Sequence, residues 1–289
     1  MESGDARVDV DVGGATLACL VAGEGPVVVA AHGFPDCARS FRHQRPALLA
    51  AGFRVVAPYL RGYAPSTVAR DGRYDAAALG ADLVALARHF SPHGPVRLMG
   101  HDWGAIAAYA ACALAPAAFS HVATVAVPHL RVAAPRFFFP AQLRRSWYMA
   151  FFQLRGVAER RLAADDFALV DRLWRDWSPG LVAPPDERLA VKASLRGRER
   201  DVLGYYRALP RAVVSPVARL LRERTRVPAL YVHGVADGCI GVAAADGVER
   251  AYAASIDVRR LDGGHFVHQQ NVEQFNRILV RFFEQSTQR

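Results

Sequence analysis

The chain has 289 residues, 52% of them hydrophobic, which is enough for one large domain or for one domain with an inserted segment. Its formal net charge is +9, and its only lysine is Lys192, so nearly all of the positive charge comes from arginine. The arginines cluster, as at residues 144–145 and 160–161, but they lack the interleaved aromatics of a nucleic-acid-binding module, so we expect no nucleic-acid partner. The arginine clusters then indicate either a solvent-exposed face or a binding surface for another anionic partner.

The first elements are predicted from the spacing of apolar residues. Residues 8–12, Val-Asp-Val-Asp-Val, alternate apolar and acidic side chains, which is typical of an antiparallel edge strand. The glycines at 13–14 then turn the chain into a second strand. The continuous apolar run at residues 26–31 indicates a strand buried on both faces of a parallel sheet. Helical periodicity predicts a helix over residues 75–90.

Strands and helices alternate through most of the remaining chain. Short apolar runs predict strands at residues 16–21, 53–57, 96–99, 121–127, 227–233 and 256–261. Helices are predicted at residues 105–115, from the end of strand 227–233 to Ala253, and at residues 267–285. This alternation predicts an α/β fold with a doubly wound, mostly parallel central sheet flanked by helices.

Residues 129–222 interrupt the alternation. The segment is helical in pattern and rich in aromatics, arginines and prolines, and it contains no buried parallel strand. We expect it to be a helical cap inserted over the sheet edge where ligands bind, with residues 1–128 and 223–289 forming the core. No apolar run approaches the ~18 residues of a membrane span, and the polar N-terminus lacks a signal-peptide pattern.

Gly100-His101-Asp102-Trp103-Gly104 has the form of a nucleophile elbow, G-x-S-x-G, with aspartate in place of serine. A predicted strand leads into it and a predicted helix leads out, which is the context that the motif requires. A carboxylate attacks without first losing a proton, so the first half-reaction needs no base. Asp102 therefore suits attack on a saturated carbon that bears a leaving group, with an ester as intermediate.

An elbow nucleophile also needs an oxyanion hole, a base and an orienting acid. The loop after strand 26–31 contains Phe34, whose backbone N–H and that of Trp103 are the predicted oxyanion donors. Asp237 follows strand 227–233 and is the candidate acid. His265 follows the last strand and is the candidate base. The other histidines near these motifs, His32, His101, His233 and His268, are interpreted as structural, and we expect no metal site.

Taken together, these motifs resemble the α/β-hydrolase superfamily, in its soluble epoxide hydrolase branch. The residues that carry the resemblance are His32–Asp36, Arg61–Tyr63, Gly100–Ala105, Asp237 and Gly264-His265. They occur in order, and the resemblance covers residues 8 to 285. It implies an α/β-hydrolase fold with a cap and an enzyme that opens epoxides to vicinal diols through an ester on Asp102, without a cofactor.

Two cap stretches are similar to those of the same family. Residues 147–153, Trp-Tyr-Met-Ala-Phe-Phe-Gln, place Tyr148 four residues before Phe152-Gln153, and residues 204–207 place Tyr206 directly before arginine. The resemblance implies that Tyr148 and Tyr206 hydrogen-bond the epoxide oxygen and help to protonate it. The alternative is that both tyrosines are core aromatics of the cap with no part in the reaction. Phe34, Trp103, Tyr148, Phe152 and Tyr206 are the expected substrate contacts.

Two other functions remain open. A haloalkane or haloacid dehalogenase would use the same triad with a halide leaving group; Trp103 fits both reactions, and Trp147, Trp174 or Trp177 could hold a halide. An arginine after the nucleophile, usual in haloacid enzymes, is missing here. A non-catalytic ligand-binding protein on this fold is the second alternative, although such proteins generally retain serine at the position of Asp102.

The aromatic cap favours an apolar small-molecule substrate. The aromatic run at residues 137–139 could equally be cap core or a dimer contact, so the oligomer is expected to be a monomer or a homodimer. The four cysteines are far apart and show no zinc spacing, which is typical of reduced thiols in a cytoplasmic protein. We expect no membrane partner.

Overall fold

One eight-stranded sheet forms the centre of the computed structural model, which describes residues 6–212 and 215–285. The strands are β1 (Ala6–Asp11), β2 (Thr16–Ala22), β3 (Val27–Ala31), β4 (Arg54–Pro58), β5 (Val96–His101), β6 (Phe119–Val125), β7 (Ala229–Gly234) and β8 (Ile256–Leu261). They lie in the order β1-β2-β4-β3-β5-β6-β7-β8. β2 pairs antiparallel with both β1 and β4, and the other pairs are parallel. The predicted antiparallel edge and parallel centre are confirmed.

Three helices accompany the first half of the sheet: α1 (Arg45–Ala50), α2 (Ala76–Phe90) and α3 (Trp103–Leu114). α2 begins where predicted because Asp75 caps it, its carboxylate accepting the N–H groups of Ala77 and Ala78. α3 is alanine-rich and almost wholly buried, which allows it to pack closely against the sheet.

Seven helices and no strand occur between β6 and β7 in the described part of the chain. They are α4 (Leu130–Ala133), α5 (Pro140–Arg145), α6 (Trp147–Phe151), α7 (Val157–Trp177), α8 (Pro185–Leu195), α9 (Glu199–Ala212) and α10 (Pro216–Leu220). α7 is interrupted at residues 164–167, where three consecutive residues have left-handed backbone angles. No helix among the described residues is both long and apolar enough to cross a bilayer.

The last part of the chain departs from the prediction in two places. The helix expected to end at Ala253 is absent, and short 3₁₀ turns lie at Val242–Ala245 and Val248–Ala251, separated by the left-handed Gly247. The helix expected over residues 267–285 is divided into α11 (Val267–Gln270) and α12 (Val272–Phe283), because the backbone of Asn271 is not helical. Both predictions were wrong because apolar periodicity does not reveal where the backbone leaves the helical conformation, as it does at Asp246, Gly247 and Asn271.

Both faces of the sheet are covered. In β3, Val29 packs with Leu83 of α2 in the larger apolar core, which also includes α3. Its neighbour Val28 lies on the opposite face with Phe275 and Leu279 of α12. Alternate residues of a strand point to opposite faces, so a central strand covered on both sides must be apolar at every position. The apolar run at residues 26–31 reflects this burial.

Candidate active site

The turn between β5 and α3 holds Asp102 in a strained backbone conformation, with φ 52° and ψ −118°. Residues other than glycine rarely adopt such backbone angles, so the surrounding packing must impose them on Asp102. The packing is too close for larger neighbours: a Cβ on Gly104 would lie 2.0 Å from the backbone oxygen of Ala31, and one on Gly33 would lie 2.3 Å from the Cβ of Asp102. The elbow glycines therefore bring the carboxylate against the loop that follows β3.

Both predicted oxyanion donors lie beside this carboxylate. The backbone N–H of Phe34 donates to Asp102 Oδ1 over 2.8 Å. Trp103 is the first residue of α3, so its N–H is among those that a helix leaves without an intrahelical acceptor. The N-terminal end of the α3 dipole also favours negative charge at this point. The site can therefore stabilise an anionic oxygen on the side chain of Asp102.

The loops after β7 and β8 bring Asp237 and His265 to the same sheet edge. His265 Nε2 lies 3.4 Å from Asp102 Oδ2, and His265 Nδ1 lies 2.9 Å from Asp237 Oδ2. The N–H groups of Cys239 and Ile240 donate to Asp237 Oδ1 over 2.7 and 2.8 Å, which fixes this carboxylate. The three side chains are buried. The imidazole is thus held between two carboxylates.

The groups around the imidazole decide its protonation. Burial lowers the pKa of His265, but the Cys239 sulfur, the Asp237 carboxylate and the contact with Asp102 together outweigh it, so the pKa lies well above its usual range. Burial raises the pKa of Asp102, yet the contact with His265 outweighs it and the pKa lies below its usual range. At neutral pH the pair is therefore an imidazolium and an ionised carboxylate.

Two histidines of the motifs hold loops of the site. His32 Nε2 accepts the N–H of Leu60 over 3.1 Å, and its Nδ1 lies 2.8 Å from the carbonyl oxygen of Gly33. His101 Nε2 lies 3.0 Å from the carbonyl oxygen of His265. These contacts connect the β3, β4, β5 and β8 loops, in agreement with a structural role for both side chains.

A buried polar cluster lies behind the nucleophile. Ligand-type atoms of Asp36, His101 and His268 come within 4.8 Å of one another, a proximity that the sequence did not indicate. Burial lowers the pKa of His101 to about 3 and that of His268 well below its usual range, so both rings are neutral. The Asp36 carboxylate already accepts the backbone N–H of Cys37 and the side-chain amide of Gln269, over 2.8 and 3.0 Å. The expected absence of a metal site stays a prediction.

The two predicted cap tyrosines meet above Asp102. Tyr148 of α6 and Tyr206 of α9 are each 1% exposed, with ring centroids 5.6 Å apart and planes nearly perpendicular. Burial raises the pKa of both phenols well above the usual range, so both keep their protons at neutral pH. The Tyr206 hydroxyl has no hydrogen-bond partner among the described residues, whereas the Tyr148 hydroxyl lies 3.2 Å from the Sγ of Cys239.

Phe34 and Phe152 form the packing behind these phenols. Phe152 lies against Phe34, Tyr148 and Tyr206, with ring centroids 5.5, 5.7 and 5.0 Å away. Both phenylalanines are 0% exposed. The structure therefore brings all five expected substrate contacts together, but only Trp103, Tyr148 and Tyr206 reach the cavity wall.

Side chains between the tyrosines hold the two cap stretches together. Gln153 donates to the carbonyl oxygen of Tyr206 over 3.0 Å, and Arg207 donates to that of Phe152 over 2.9 Å. Arg207 also pairs with Glu159 over 2.7 Å. These contacts explain why glutamine follows Phe152 and arginine follows Tyr206: each side chain fixes the backbone that carries the other stretch's aromatic ring.

Trp177, at the end of α7, supports the triad itself. Its carbonyl oxygen accepts the N–H groups of His265 and Gly238 over 2.9 and 3.0 Å. Its ring lies 4.8 Å from that of Tyr148 and 5.3 Å from that of His265. The sequence indicated Trp177 only as a possible halide donor and Cys239 only as one of four reduced thiols, because neither contact leaves a local pattern in the chain.

A cavity of about 950 Å³ opens above the elbow. Asp102 is the acidic residue in its lining, and the walls are largely apolar: Ile106, Val127, Leu130, Phe137, Phe138, Met149, Leu209, Leu221 and Ile240. Such a volume suits a drug-sized apolar molecule. The fold and the site thus define a hydrolase-like enzyme scaffold with a carboxylate at the position of the nucleophile.

Comparison with known proteins agrees with this class. The family described as alpha/beta hydrolase fold matches residues 26–272, and the chain belongs to that family. The predicted fold class and the resemblance are confirmed.

Among its relatives, the chain is 30% identical to epoxide hydrolase A of Mycobacterium tuberculosis, over 94% of this chain and 95% of the relative. The crystal structure of epoxide hydrolase A from Mycobacterium thermoresistibile is similar with a TM-score of 0.83 and 28% identity, covering 96% of this chain and 98% of the other. An inhibitor-bound epoxide hydrolase of Bacillus megaterium shares the fold with a TM-score of 0.83 at 23% identity, over 96% and 100% of the two chains.

Proposed function

We propose that the protein is an epoxide hydrolase that converts an apolar epoxide to a vicinal diol through an ester on Asp102. One observation carries the proposal: two protonated, buried phenols, Tyr148 and Tyr206, line the same cavity as an ionised Asp102. An alkoxide is a poor leaving group, and a phenol can protonate it without being ionised at neutral pH. The similarity to enzymes named epoxide hydrolases supports this reaction.

In the first step, a carboxylate oxygen of Asp102 attacks one carbon of the epoxide and the bond from that carbon to the ring oxygen breaks. Oδ1 already accepts the N–H of Phe34, so Oδ2 is the attacking atom and Oδ1 becomes the carbonyl oxygen of the ester. The departing oxygen takes a proton from a cap phenol. Tyr206, whose hydroxyl has no partner within the described residues, is the proposed donor, with Tyr148 as the second hydrogen bond.

Ester formation also makes His265 able to act as the base. The charge of Asp102 disappears when its oxygen becomes part of the ester, and one of the two carboxylates that raise the pKa of His265 is lost. The ring can then release its proton and activate a water, while Asp237 holds its other nitrogen. The water attacks the ester carbon, and the charge on Oδ1 is stabilised by the N–H groups of Phe34 and Trp103. The proton that His265 released restores the phenol, and the proton taken from water leaves His265 as an imidazolium again. The departing diol oxygen takes the second proton of the water as the carboxylate of Asp102 re-forms.

We propose that residues 129–222 act as the cap, because the helices between β6 and β7 supply both tyrosines and most of the cavity wall. The proposed substrate is an apolar small molecule, and the proposed reaction needs no cofactor. The chain is proposed to work in the cytoplasm.

The competing dehalogenase reaction needs N–H donors for a halide. The indole N–H of Trp174 donates to the carbonyl oxygen of Pro35 over 2.8 Å, so it is already used. Trp147 is 38% exposed and does not line the cavity. Trp177 does not line the cavity either, so Trp103 remains as a possible donor and the two reactions must be separated by experiment.

The test is intact-protein mass spectrometry of His265→Gln after incubation with a panel of epoxides and haloalkanes. The variant should form the ester and fail to hydrolyse it. An adduct with the full mass of an epoxide, mapped to Asp102, supports the proposal. An adduct that has lost the halide moves the assignment to a dehalogenase. No adduct from either class favours a binding protein, and Asp102→Asn/His265→Gln is the matched control that should stay unmodified.

A further inference from the structure

The cap exposes apolar side chains that the proposed reaction does not use. Six of the eleven large apolar residues that are exposed in the described part of the chain lie within residues 138–157, here called the 138–157 segment. They are Phe138 (76% exposed), Phe139 (58%), Leu143 (52%), Trp147 (38%), Leu154 (52%) and Val157 (46%). Phe139 and Leu143 are one helical turn apart and lie on the same side of α5. Single exposed apolar residues are normal, and six of them within residues 138–157 set this segment apart from the rest of the described chain.

The same stretch is strongly basic. Residues 129–161 contain seven arginines and a single acidic residue, Glu159, which is paired with Arg207. Within the residues that the structure describes, no ion pair is formed by Arg144, Arg155 or Arg160. The exposed apolar residues are therefore interleaved along the chain with arginines that form no ion pair within the described residues.

This segment adjoins the entrance of the cavity. Phe138 is both the most exposed of the six apolar residues and part of the cavity lining, together with its neighbour Phe137. A surface that bound the 138–157 segment would lie next to the route by which a substrate reaches Asp102. Of the run at residues 137–139, Phe138 and Phe139 are thus not cap core, whereas Phe137 is partly buried and packs against the core.

We propose that the 138–157 segment docks the protein onto an anionic lipid surface. Exposed Phe and Trp interleaved with arginine are the combination that inserts at the headgroup boundary and is attracted by anionic lipids. A second copy of the chain would bring two strongly basic segments together, and their repulsion opposes a homodimer through this surface. Docking would place the cavity entrance beside the phase into which an apolar epoxide partitions. This is a surface attachment, distinct from a membrane span, and it departs from the expectation of no membrane partner.

The experiment is co-sedimentation of the full chain with vesicles of phosphatidylcholine alone or with phosphatidylglycerol added. The wild type should bind the anionic vesicles and not the neutral ones, and salt should weaken the binding. Phe139→Ser/Leu143→Ser should abolish most of the binding, and Arg144→Glu/Arg155→Glu should weaken it by about tenfold or more. These four residues lie outside the proposed catalytic and binding machinery, so hydrolysis of a soluble epoxide without vesicles should be unchanged.

Matched controls decide whether the segment is responsible. Val182→Ser/Leu189→Ser removes two similarly exposed apolar residues elsewhere, and Arg88→Glu/Arg281→Glu changes the net charge equally; both should bind like the wild type. Equal loss in the segment variants and their matched controls would overturn the proposal, because binding would then follow net charge or total exposed apolar surface and not this segment. Absence of wild-type binding to anionic vesicles would also overturn it, whether the chain is then monomeric, dimeric or bound to an acidic protein. Either failure would leave the proposed epoxide hydrolysis untouched.

Discussion

The contact between Cys239 and Tyr148 leads to a prediction that separates the two cap phenols. The Cys239 thiol is fully buried, and burial raises its pKa, so its S–H is available to donate to the Tyr148 oxygen 3.2 Å away. A phenol oxygen that accepts this bond keeps its own proton directed to the cavity. A neutral hydrogen bond contributes a net ~0.5–1.5 kcal/mol, so Cys239→Ala should slow ring opening by about two- to tenfold.

The assay is a double-mutant cycle on the rate of ester formation, measured by rapid quench and intact-protein mass. Cys239→Ala should slow ester formation in the wild type and in Tyr206→Phe, but not in Tyr148→Phe, because there the hydroxyl that the thiol serves is missing. Cys239→Ser, which retains a donor, should restore most of the rate. An equal slowing in the Tyr148→Phe background would refute the reasoning and assign the effect to packing or to the neighbouring triad.

Three further predictions concern the elbow and the triad. Loss of the imidazole in His265→Gln should raise the pKa of Asp102, because the contact with His265 is what lowers it. Ring opening needs the ionised carboxylate and is lost as pH falls through that pKa, so the acid limb of the pH profile for ester formation should move to higher pH. An unmoved acid limb would contradict the assignment. Gly104→Ala should cost about 3 kcal/mol or more in thermal unfolding, whereas Gly94→Ala, with its nearest neighbour 3.9 Å from the added Cβ, should be silent. Asp237→Asn should slow ester hydrolysis by about 10²–10⁴-fold and affect ring opening less, so epoxide consumption should begin with a burst. Epoxide consumption without a burst would argue against this role.

Much of the core could be predicted because its signals are local. Glycines at fixed spacing around Asp102 are required because a Cβ on Gly100 or Gly104 would lie only 2.0–2.3 Å from a backbone oxygen, so a sequence that forms this turn must carry them. The apolar run of β3 reflects burial on both faces of the sheet. Asp237 and His265 were found by chain order, since parallel strands deliver their carboxyl ends to one edge.

Other features depend on which segments meet in space. The pairing of Cys239 with Tyr148 joins residues that are 91 positions apart, and the Trp177 carbonyl reaches the triad from the cap. Neither contact has a sequence period or motif, because both are made by isolated side chains or backbone atoms at helix ends. The division of the last helix at Asn271 is likewise set by a single backbone conformation.

The α/β order of elements, the elbow with its aspartate and the chemistry open to a carboxylate can be predicted without a structure, because each depends on neighbours along the chain. The charge state of the triad depends on the fold, because the fold places His265 between two carboxylates and beside the Cys239 sulfur. The fold also decides which predicted aromatics reach the cavity and which, such as Phe152, pack behind it. These are properties of distance and exposure, and they exist only once separate segments have packed together.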